Sequence, residues 1–553
     1  MPRRTLAVSA VAAVAATLVA TNGTAVAEQV PCPGPTEQML FTSDYIDTER
    51  AGGEPIVTTH PDGGLLWGSH AGTTHFYTPA AADGTTSAFV ENYEGQTYQY
   101  RSEDGGIRWD FVPRTPISTV DPTSGLPNSG FSDPEFAIDK AGNVYISEIN
   151  LANIAISRSS DAGRSYTLQS LAEITLTDRQ WMEADEENVL WFVGNTFGGG
   201  STSSGNAVTG SVGTHELYKS TDGGVTFSAP QPMGGQQSSD IEIDKTDGRL
   251  YELHSERDRL TLWIAPDARE QTPPEVGFLN RDGTTTAPNP EDPPVIAEHY
   301  NRKSSIGPTI DIDPWGNLYV VWDDDGTVAD DGRVLREPGI HLAMSSDRGE
   351  TWTEPVKLDR GEGTAFWPWI AAGEHGAVAV WLQHDGPVAG NEPQNARGDW
   401  YVMASQIERC ETRAKGPKKP ATTVWSPPST PVRASHDSVH TGTICTGGTF
   451  CQARAIDRRL GDYFANAIDR EGNVYISVSD TRQGGGVSLP LVIRQIAGPT
   501  VGDPYANDEI WGDALGYDDG ATTDDATPAE TCASGFAGAL RSVGSFLGLA
   551  SRC

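Results

Sequence analysis

Short runs that alternate between apolar and polar residues recur along the chain, and most of them flank a turn rich in Asp and Gly. In the run Val144–Ile149, Val144, Ile146 and Glu148 would lie on one face of a β-strand and Tyr145, Ser147 and Ile149 on the other. The same arrangement of a strand, an Asp-x-x-Gly-Asn-like turn and a second strand begins at seven positions: Glu54, Asp133, Asp178, Ser238, Gly307, Phe366 and Tyr463. The pattern therefore predicts seven strand pairs and almost no helix.

A second turn motif follows four of these strand pairs. It reads Ser-x-Asp-x-Gly, then two residues and an aromatic, in Ser102–Trp109, Ser159–Tyr166, Ser220–Phe227 and Ser345–Trp352. The Asp carboxylate can accept backbone N–H bonds, the Gly tolerates positive φ, and the aromatic can pack onto the sheet. A third and a fourth strand around this turn complete a repeated four-stranded unit.

Seven such units separated by long insertions predict an all-β fold, a β-propeller over residues 54–498, with six blades as the alternative. Closing the ring requires the last blade to be completed, and Met39–Ile46 in the N-terminal segment 28–53 is the candidate strand. Residues 499–553 are predicted to form an acidic tail that contains Cys532 and Cys553, with a short helix within Gly535–Ala550.

The first 27 residues have the pattern of a secretion signal. Arg3 and Arg4 precede the apolar run Leu6–Ala20, and Ala25–Ala27 fits a cleavage site before Glu28. No other segment approaches the length of a transmembrane helix. We therefore expect a secreted, extracellular protein without a membrane span.

Six cysteines, an even number, follow the signal and favour disulfides. Cys445–Cys451 and Cys532–Cys553 are local pairs, which leaves Cys32–Cys410, although the sequence leaves other pairings open.

The formal net charge of −36 argues against nucleic acid and anionic lipid as partners. We expect a monomer.

Propeller topology predicts which groups meet. The turn within each strand pair and the Ser-x-Asp turn share one rim, the turn rim. Residues that precede first strands or follow second strands share the opposite rim, the mouth of the central channel. Four long insertions are predicted on the mouth side and favour a binding surface there: Ala71–Phe89, Gly198–Gly213, Pro266–Ser305 and Asp324–Arg336.

Carboxyl groups dominate the predicted mouth. Glycoside hydrolysis needs a carboxyl pair, and the candidate catalytic residues are Asp133, Glu135, Asp178, Asp240 and Asp462. The alternative for each is a strand-end carboxylate that accepts backbone N–H bonds. The candidate substrate-binding residues are Arg179, His254, Trp367, Tyr463, Asp480 and Arg482, whereas Trp181 and Trp369 are expected in the core.

An oxygen-rich loop follows the second strand of the fifth unit. Asp323 and Asp325 in this loop are candidate calcium ligands, against the alternative of a hydrated acidic loop. The sequence contains no Gly-x-Ser-x-Gly, no phosphate-binding Gly loop and no His-Glu-x-x-His, so it offers no motif for those chemistries.

From about Glu54 to Ile496 the chain resembles secreted Asp-box (BNR-repeat) propellers, the sialidase-like proteins, through its four Ser-x-Asp-x-Gly turns. The resemblance implies a glycan site at the channel mouth. A true sialidase would also carry three carboxylate-binding arginines, a Tyr–Glu nucleophile pair, an acid Asp and an Arg-Ile-Pro motif ahead of the first Asp box. No Arg-Ile-Pro occurs; the nearest string, Arg114–Pro116, follows that box.

These observations predict a glycan-processing, exo-glycosidase-type hydrolase that acts on an extracellular glycan at the channel mouth. The first alternative is a non-catalytic propeller that binds a glycan or a protein. The second is a polysaccharide lyase, in which His254 or a tyrosine abstracts a proton and Arg179 shares its pocket.

Overall fold

A computed structural model describes the chain over residues 32–50, 52–71, 97–113, 130, 132–149, 154–172, 177–196, 215–234, 240–256, 258–303, 307–412, 422–446, 451, 456–482 and 488–512. The chain divides into one unit of residues 1–515 and a second of residues 516–553. The second unit, the predicted signal at residues 1–27, the predicted helix within 535–550 and the predicted Cys532–Cys553 bond all lie outside the described residues.

The described residues form a seven-bladed β-propeller, as predicted. Each blade is an antiparallel sheet whose strands follow one another outwards from the channel. Blade 1 contains β2–β5: Ile56–Thr59, Leu65–Ser69, Tyr98–Ser102 and Asp110–Phe111. Blade 2 contains β6–β9: Ser132–Ile138, Val144–Ile149, Ile154–Ser159 and Thr167–Ala172. Blade 3 contains β10–β13: Thr177–Ala184, Leu190–Thr196, His215–Ser220 and Gln231–Met233.

Blades 4 and 5 each carry an additional two-stranded hairpin. Blade 4 contains β14, β15, β16 and β19: Ile241–Asp244, Arg249–Glu256, Arg259–Ala265 and Val295–Glu298. Its hairpin is β17 and β18, Phe278–Leu279 and Thr285–Thr286. Blade 5 contains β20, β21, β24 and β25: Thr309–Ile312, Leu318–Asp324, Gly339–Ser345 and Val356–Lys357. Its hairpin is β22 and β23, Thr327–Val328 and Val334–Arg336.

Blade 6 is built around one long third strand. Its strands are β26–β31: Ala365–Gly373, Gly376–His384, Asp399–Thr412, Thr422–Trp425, Val432–Arg433 and His440–Thr441. Strands β29, β30 and β31 all pair with β28 along its length. Within the described ranges, short 3-10 helices lie at Ala268–Glu270 in the insertion of blade 4 and at Ala389–Asn391 and Pro393–Asn395 in blade 6.

Blade 7 joins the two ends of the propeller chain. Its inner strands are β32–β34: Asn466–Ile468, Val474–Asp480 and Leu489–Ala497. The outer strand is β1, Leu40–Tyr45, which comes from the N-terminal segment and pairs antiparallel with β34 over six residues. A Cys32–Cys410 disulfide ties the residue ahead of β1 to β28 of blade 6, and a second disulfide joins Cys445 to Cys451, both as predicted.

Each Ser-x-Asp turn is held by its own side chains. In the turn of blade 5, Ser345 Oγ accepts the Gly349 N–H at 2.9 Å, and Asp347 Oδ1 accepts the Thr351 N–H at 2.8 Å. Arg348 and Gly349 both have positive φ, 62° and 86°. The same pair of bonds recurs at the other three turns, where the acceptors are Ser102 and Asp104, Ser159 and Asp161, and Ser220 and Asp222.

The long insertion of blade 4 lies on the turn rim, not on the mouth where the sequence predicted it. It connects the third strand, β16, to the fourth, β19, and so occupies the place that a Ser-x-Asp turn has in blade 5. Arg269 in this insertion donates to Asp185 in the turn of blade 3 at 2.6 and 2.8 Å. The prediction was wrong because it treated the insertion as the link between blades 4 and 5, whereas β19, the fourth strand of blade 4, follows it.

Residues 499–512 pack on the propeller, although the sequence assigned them to the tail. Val501 is fully buried, and Tyr505 contacts Thr59 Oγ1 at 3.0 Å. A single helical turn, α1 (Asp508–Trp511), follows, with Asn507 donating to the Pro314 carbonyl at 3.0 Å. This segment lies across the turn-rim end of the central channel. No helix among the described residues has the length and apolar character needed to cross a membrane.

Candidate functional site

The first strands are distorted where they reach the mouth. Register shifts interrupt the pairing of β6, β10 and β26 with their second strands. Two of these shifts contain a residue of positive φ followed by proline, Asp133 (50°) and Trp367 (52°), and Glu54, just ahead of β2, has φ 46° and also precedes proline. Residues before proline favour extended backbone, so these positions are strained. Bulges of this kind redirect side chains.

Four carboxyl groups surround the phenol of Tyr463 at the mouth. Burial raises the pKa of Tyr463 well above its ordinary value, and the negative charges around it raise that pKa further. These charges come from Asp133, Glu54, Glu135 and Asp462. The Tyr463 hydroxyl donates to the Pro134 carbonyl at 3.2 Å. The structure thus brings together four of the predicted residues, Asp133, Glu135, Asp462 and Tyr463.

Among the described side chains, Arg458 is the arginine that contacts this carboxyl cluster. Arg458 donates to both oxygens of Asp462, at 2.5 Å to Oδ2, and its Nη2 lies 3.7 Å from Glu54 Oε1. Arg458 and Glu54 are 4% and 1% exposed. Burial, followed by the charges of Asp133 and Asp462, raises the pKa of Glu54 well above its ordinary value, against the opposing effect of Arg458. Glu54 therefore binds its proton more tightly than an exposed glutamate does, and it hydrogen-bonds to Asp133.

Glu135 and Asp240 line the central channel together. The channel cavity has a volume of about 240 Å³. Burial, then the charges of Asp240 and Glu183, raises the pKa of Glu135, and its Oε2 has no hydrogen-bond partner among the described residues. Burial also raises the pKa of Asp240, although backbone N–H groups of Ile241 and Ile310 donate to it at 2.9 and 3.0 Å. Glu135 is thus a half-buried carboxyl with a raised pKa that lines the cavity and acts electrostatically on Tyr463.

Acidic side chains continue along the cavity towards the turn rim. Burial raises the pKa values of Glu183, Glu242 and Asp311, that of Asp311 to about 7. Lys245, whose Nζ lies 3.2 Å from Glu183 Oε2, supplies a positive charge to this group. The carboxyl groups along the cavity therefore all bind their protons more tightly than exposed carboxyl groups do.

Three aromatic rings meet inside the channel: Trp181, Trp369 and Tyr463, with centroids 5.8 to 6.0 Å apart. Trp181 is buried, as expected, but Trp369 is only partly buried and lines the cavity. Trp367, the predicted stacking residue, is 3% exposed, packs on Phe366, and its backbone N–H donates to Asp323 at 3.1 Å. The bulge turned Trp367 into the core and left Trp369 facing the channel.

The remaining predicted residues lie apart from this cluster. Arg482 donates to both oxygens of Asp480, at 3.0 and 2.9 Å, and the Tyr45 hydroxyl donates to the same carboxylate at 2.6 Å. For the predicted calcium ligands, Lys303 Nζ lies 3.5 Å from Asp325, and Asp323 is fully buried. The backbone of Asp178 and Arg179 belongs to β10, but their side chains lie outside the described part.

His254 does not face the channel. It is fully buried, and its ring stacks on Trp263 at 3.7 Å. The lyase alternative needs a base beside the substrate, and His254 is not placed to be that base.

Glu54 and Arg458 were not predicted to lie at the mouth. A usable signal was the recurrence of an acidic residue before proline, Glu54-Pro55 and Asp133-Pro134, at the start of two repeats.

No protein-family model matches the sequence, and no curated protein matches it. Solved structures similar in fold include a protein of unknown function from Dyadobacter fermentans, at 12% identity and TM-score 0.39, covering 84% of this chain and 100% of that one. The α-L-arabinofuranosidase of Fusarium graminearum with arabinobiose is 11% identical, with TM-score 0.32 and coverage of 84% and 98%. Trypanosoma rangeli sialidase is 12% identical, with TM-score 0.32 and coverage of 70% and 58%. These likenesses carry no conclusion about activity.

Proposed function

We propose that this protein is a secreted hydrolase that cleaves glycosidic bonds of an extracellular glycan at the mouth of the channel. The supporting observation is the convergence on one phenol, that of Tyr463, of two half-buried carboxyl groups: Asp133 and Glu135, whose pKa burial raises well above its ordinary value. Glycosidases need one carboxyl as a proton donor and another as base or nucleophile, and separate environments assign those roles. Glu135 is the proton donor in this proposal, and Asp133 is the base or nucleophile.

The surrounding groups would position Asp133. Glu54 hydrogen-bonds to it, and Arg458 offsets the negative charge of the cluster. Trp369 offers a ring face in the channel on which a sugar can stack. No metal is required by this arrangement, and the calcium prediction at Asp323 and Asp325 remains to be tested by adding the ion.

The test is turnover by the mature chain without an affinity tag. The panel contains fluorogenic α- and β-glycosides, including sialosides and arabinofuranosides, and plant and microbial polysaccharides, each with and without calcium. Asp133→Asn and Glu135→Gln should lower kcat by about 10²- to 10⁴-fold, the usual contribution of a general acid or base. Glu350→Gln, at an exposed glutamate in a turn on the opposite rim, should leave kcat unchanged.

A non-catalytic binding propeller is the second candidate, and one observation favours it. Charged residues near the mouth form ion pairs with one another, as in Arg458–Asp462 and Arg482–Asp480. Binding of a panel glycan without turnover, weakened by Asp133→Asn, would support this candidate and reject the hydrolase. If neither Asp133→Asn nor Glu135→Gln lowers the kcat of an observed hydrolysis, the assignment of the site is wrong.

A further inference from the structure

Two histidines and a glutamate from neighbouring blades meet away from the carboxyl cluster. His215 is the first residue of β12 in blade 3, whereas Glu252 and His254 lie on β15 of blade 4. One ligand atom from each residue lies within 4.8 Å of the other two. The side chains are 2%, 0% and 0% exposed. His254 was predicted to bind substrate, and no pattern in the sequence links it to His215 or Glu252.

Only some of the polar side-chain atoms in this cluster have hydrogen-bond partners. His215 Nε2 bonds to Glu252 Oε1. His254 Nε2 lies 3.1 Å from the same oxygen, whereas His254 Nδ1 and Glu252 Oε2 have no hydrogen-bond partner among the described residues. A buried polar atom without a partner costs about 1–3 kcal/mol. Two such atoms in one buried cluster favour a further ligand there.

The two imidazoles are held in place from behind. His215 Nδ1 lies 3.1 Å from Asn195 Oδ1, which leaves Nε2 directed at the carboxylate. Trp263 stacks on His254 with 11° between the ring planes. Partners on the far side of a histidine, which fix its ring and its tautomer, are typical of metal sites.

We propose that His215, Glu252 and His254 bind a Zn²⁺ ion that links blades 3 and 4. Two imidazole nitrogens with one carboxylate oxygen form a ligand set that zinc favours and that calcium and magnesium do not. With ligands about 2.0–2.2 Å from the metal, neighbouring donor atoms of a tetrahedral site lie about 3.3 Å apart. The 3.1 Å separation of His254 Nε2 and Glu252 Oε1 is close to that value, whereas His215 Nε2 lies closer to the same oxygen and would have to move away from it when the ion binds. A water molecule would take the fourth position.

Because the ligands are buried and come from two blades, the ion would be taken up as the blades close on each other and would exchange slowly. Binding to the folded chain alone stabilises it by mass action. This role is independent of the proposed hydrolysis, because none of the three residues belongs to the carboxyl cluster.

The wild-type protein provides the first test. The tag-free mature chain is refolded with ZnCl₂, dialysed, and its zinc measured by mass spectrometry; about one ion per chain is expected. Refolding with CoCl₂ instead should give the visible absorption bands of tetrahedral cobalt with nitrogen and oxygen ligands. Wild-type protein that refolds but retains less than about a tenth of an equivalent of either ion overturns the proposal.

Variants then assign the ligands. His254→Gln and Glu252→Gln should each lose the bound zinc and the cobalt bands, whereas His436→Gln, at an exposed histidine, should keep both. Circular dichroism checks that each variant is folded. Folded variants that still hold one zinc ion per chain place the metal elsewhere and refute the assignment. If the two ligand variants do not fold, the stoichiometry and cobalt spectrum of the wild-type protein decide the question.

Discussion

The Cys32–Cys410 disulfide should contribute far more stability than the Cys445–Cys451 disulfide, although each is a single bond. The first joins residues 378 apart in the sequence, and the second joins residues 6 apart. The long-range bond fastens the segment that carries β1, the strand that completes blade 7, to β28 of blade 6. Replacing each pair by alanines removes one bond and leaves the other as a control.

The expected difference follows from the chain entropy that each bond removes from the unfolded state. The loop-closure expression gives about 6 kcal/mol for the long loop and about 2 kcal/mol for the short one at 25 °C. A cooperative unit of about 500 residues unfolds with an entropy near 1 kcal/mol per kelvin. The variant Cys32→Ala with Cys410→Ala should therefore melt about 6 °C below wild type, and Cys445→Ala with Cys451→Ala about 2 °C below it.

Differential scanning calorimetry at two scan rates measures both shifts and shows whether unfolding is under equilibrium control. Adding a reductant to the wild-type protein should reproduce the sum of the two effects. Equal shifts for the two variants, or a larger shift for the short loop, would refute the reasoning. Either result would mean that the contribution of each disulfide to stability is determined by local packing and not by closure of the ring by the N-terminal segment.

Deleting residues 28–50 removes β1, and calorimetry should show a lower melting temperature for the whole propeller; an unchanged value would contradict closure by β1. Asp347→Ala removes a turn acceptor and should cost about 1–3 kcal/mol in guanidinium unfolding, whereas Glu350→Ala beside it should cost little. The pKa of Asp311 is raised to about 7, so the folded chain keeps a proton that the unfolded chain releases above about pH 4. Stability should therefore fall as pH rises from about 4 to 7, and Asp311→Asn should flatten that slope in thermal melts. Glu54→Gln should raise the melting temperature while lowering any glycosidase activity, and a lower melting temperature would contradict the cost assigned to that buried carboxyl.

Most of the fold could be predicted from the sequence because its repeats are local. The Ser-x-Asp turn forms its bonds within a few residues, as Ser345 and Asp347 do, so its sequence specifies its geometry directly. The strand pairs are equally local. The insertion of blade 4 was misplaced because it has no such turn, and only β19 shows where that blade ends.

The site could be predicted only in part because bulges change the direction of side chains. In a regular strand, every second side chain lies on the same face of the sheet. After a register shift, the following side chains lie on the opposite face. Trp367 and Trp369 changed roles in this way. Arg458 could not be predicted to reach Glu54, because the two residues are about 400 positions apart and meet only where the last blade adjoins the first.

The backbone of the mouth does not itself require carboxyl groups. Trp367 adopts the same strained conformation before proline as Glu54 and Asp133, and there the side chain is an apolar core residue. Stability alone would favour apolar side chains at all three positions, since burying several carboxyls beside a single arginine carries a desolvation cost. Two of the three positions nevertheless hold acids, and they lie against each other and against Tyr463. Strained backbone positions cluster at functional sites, which is the physical reason to look for the function of this propeller at Asp133.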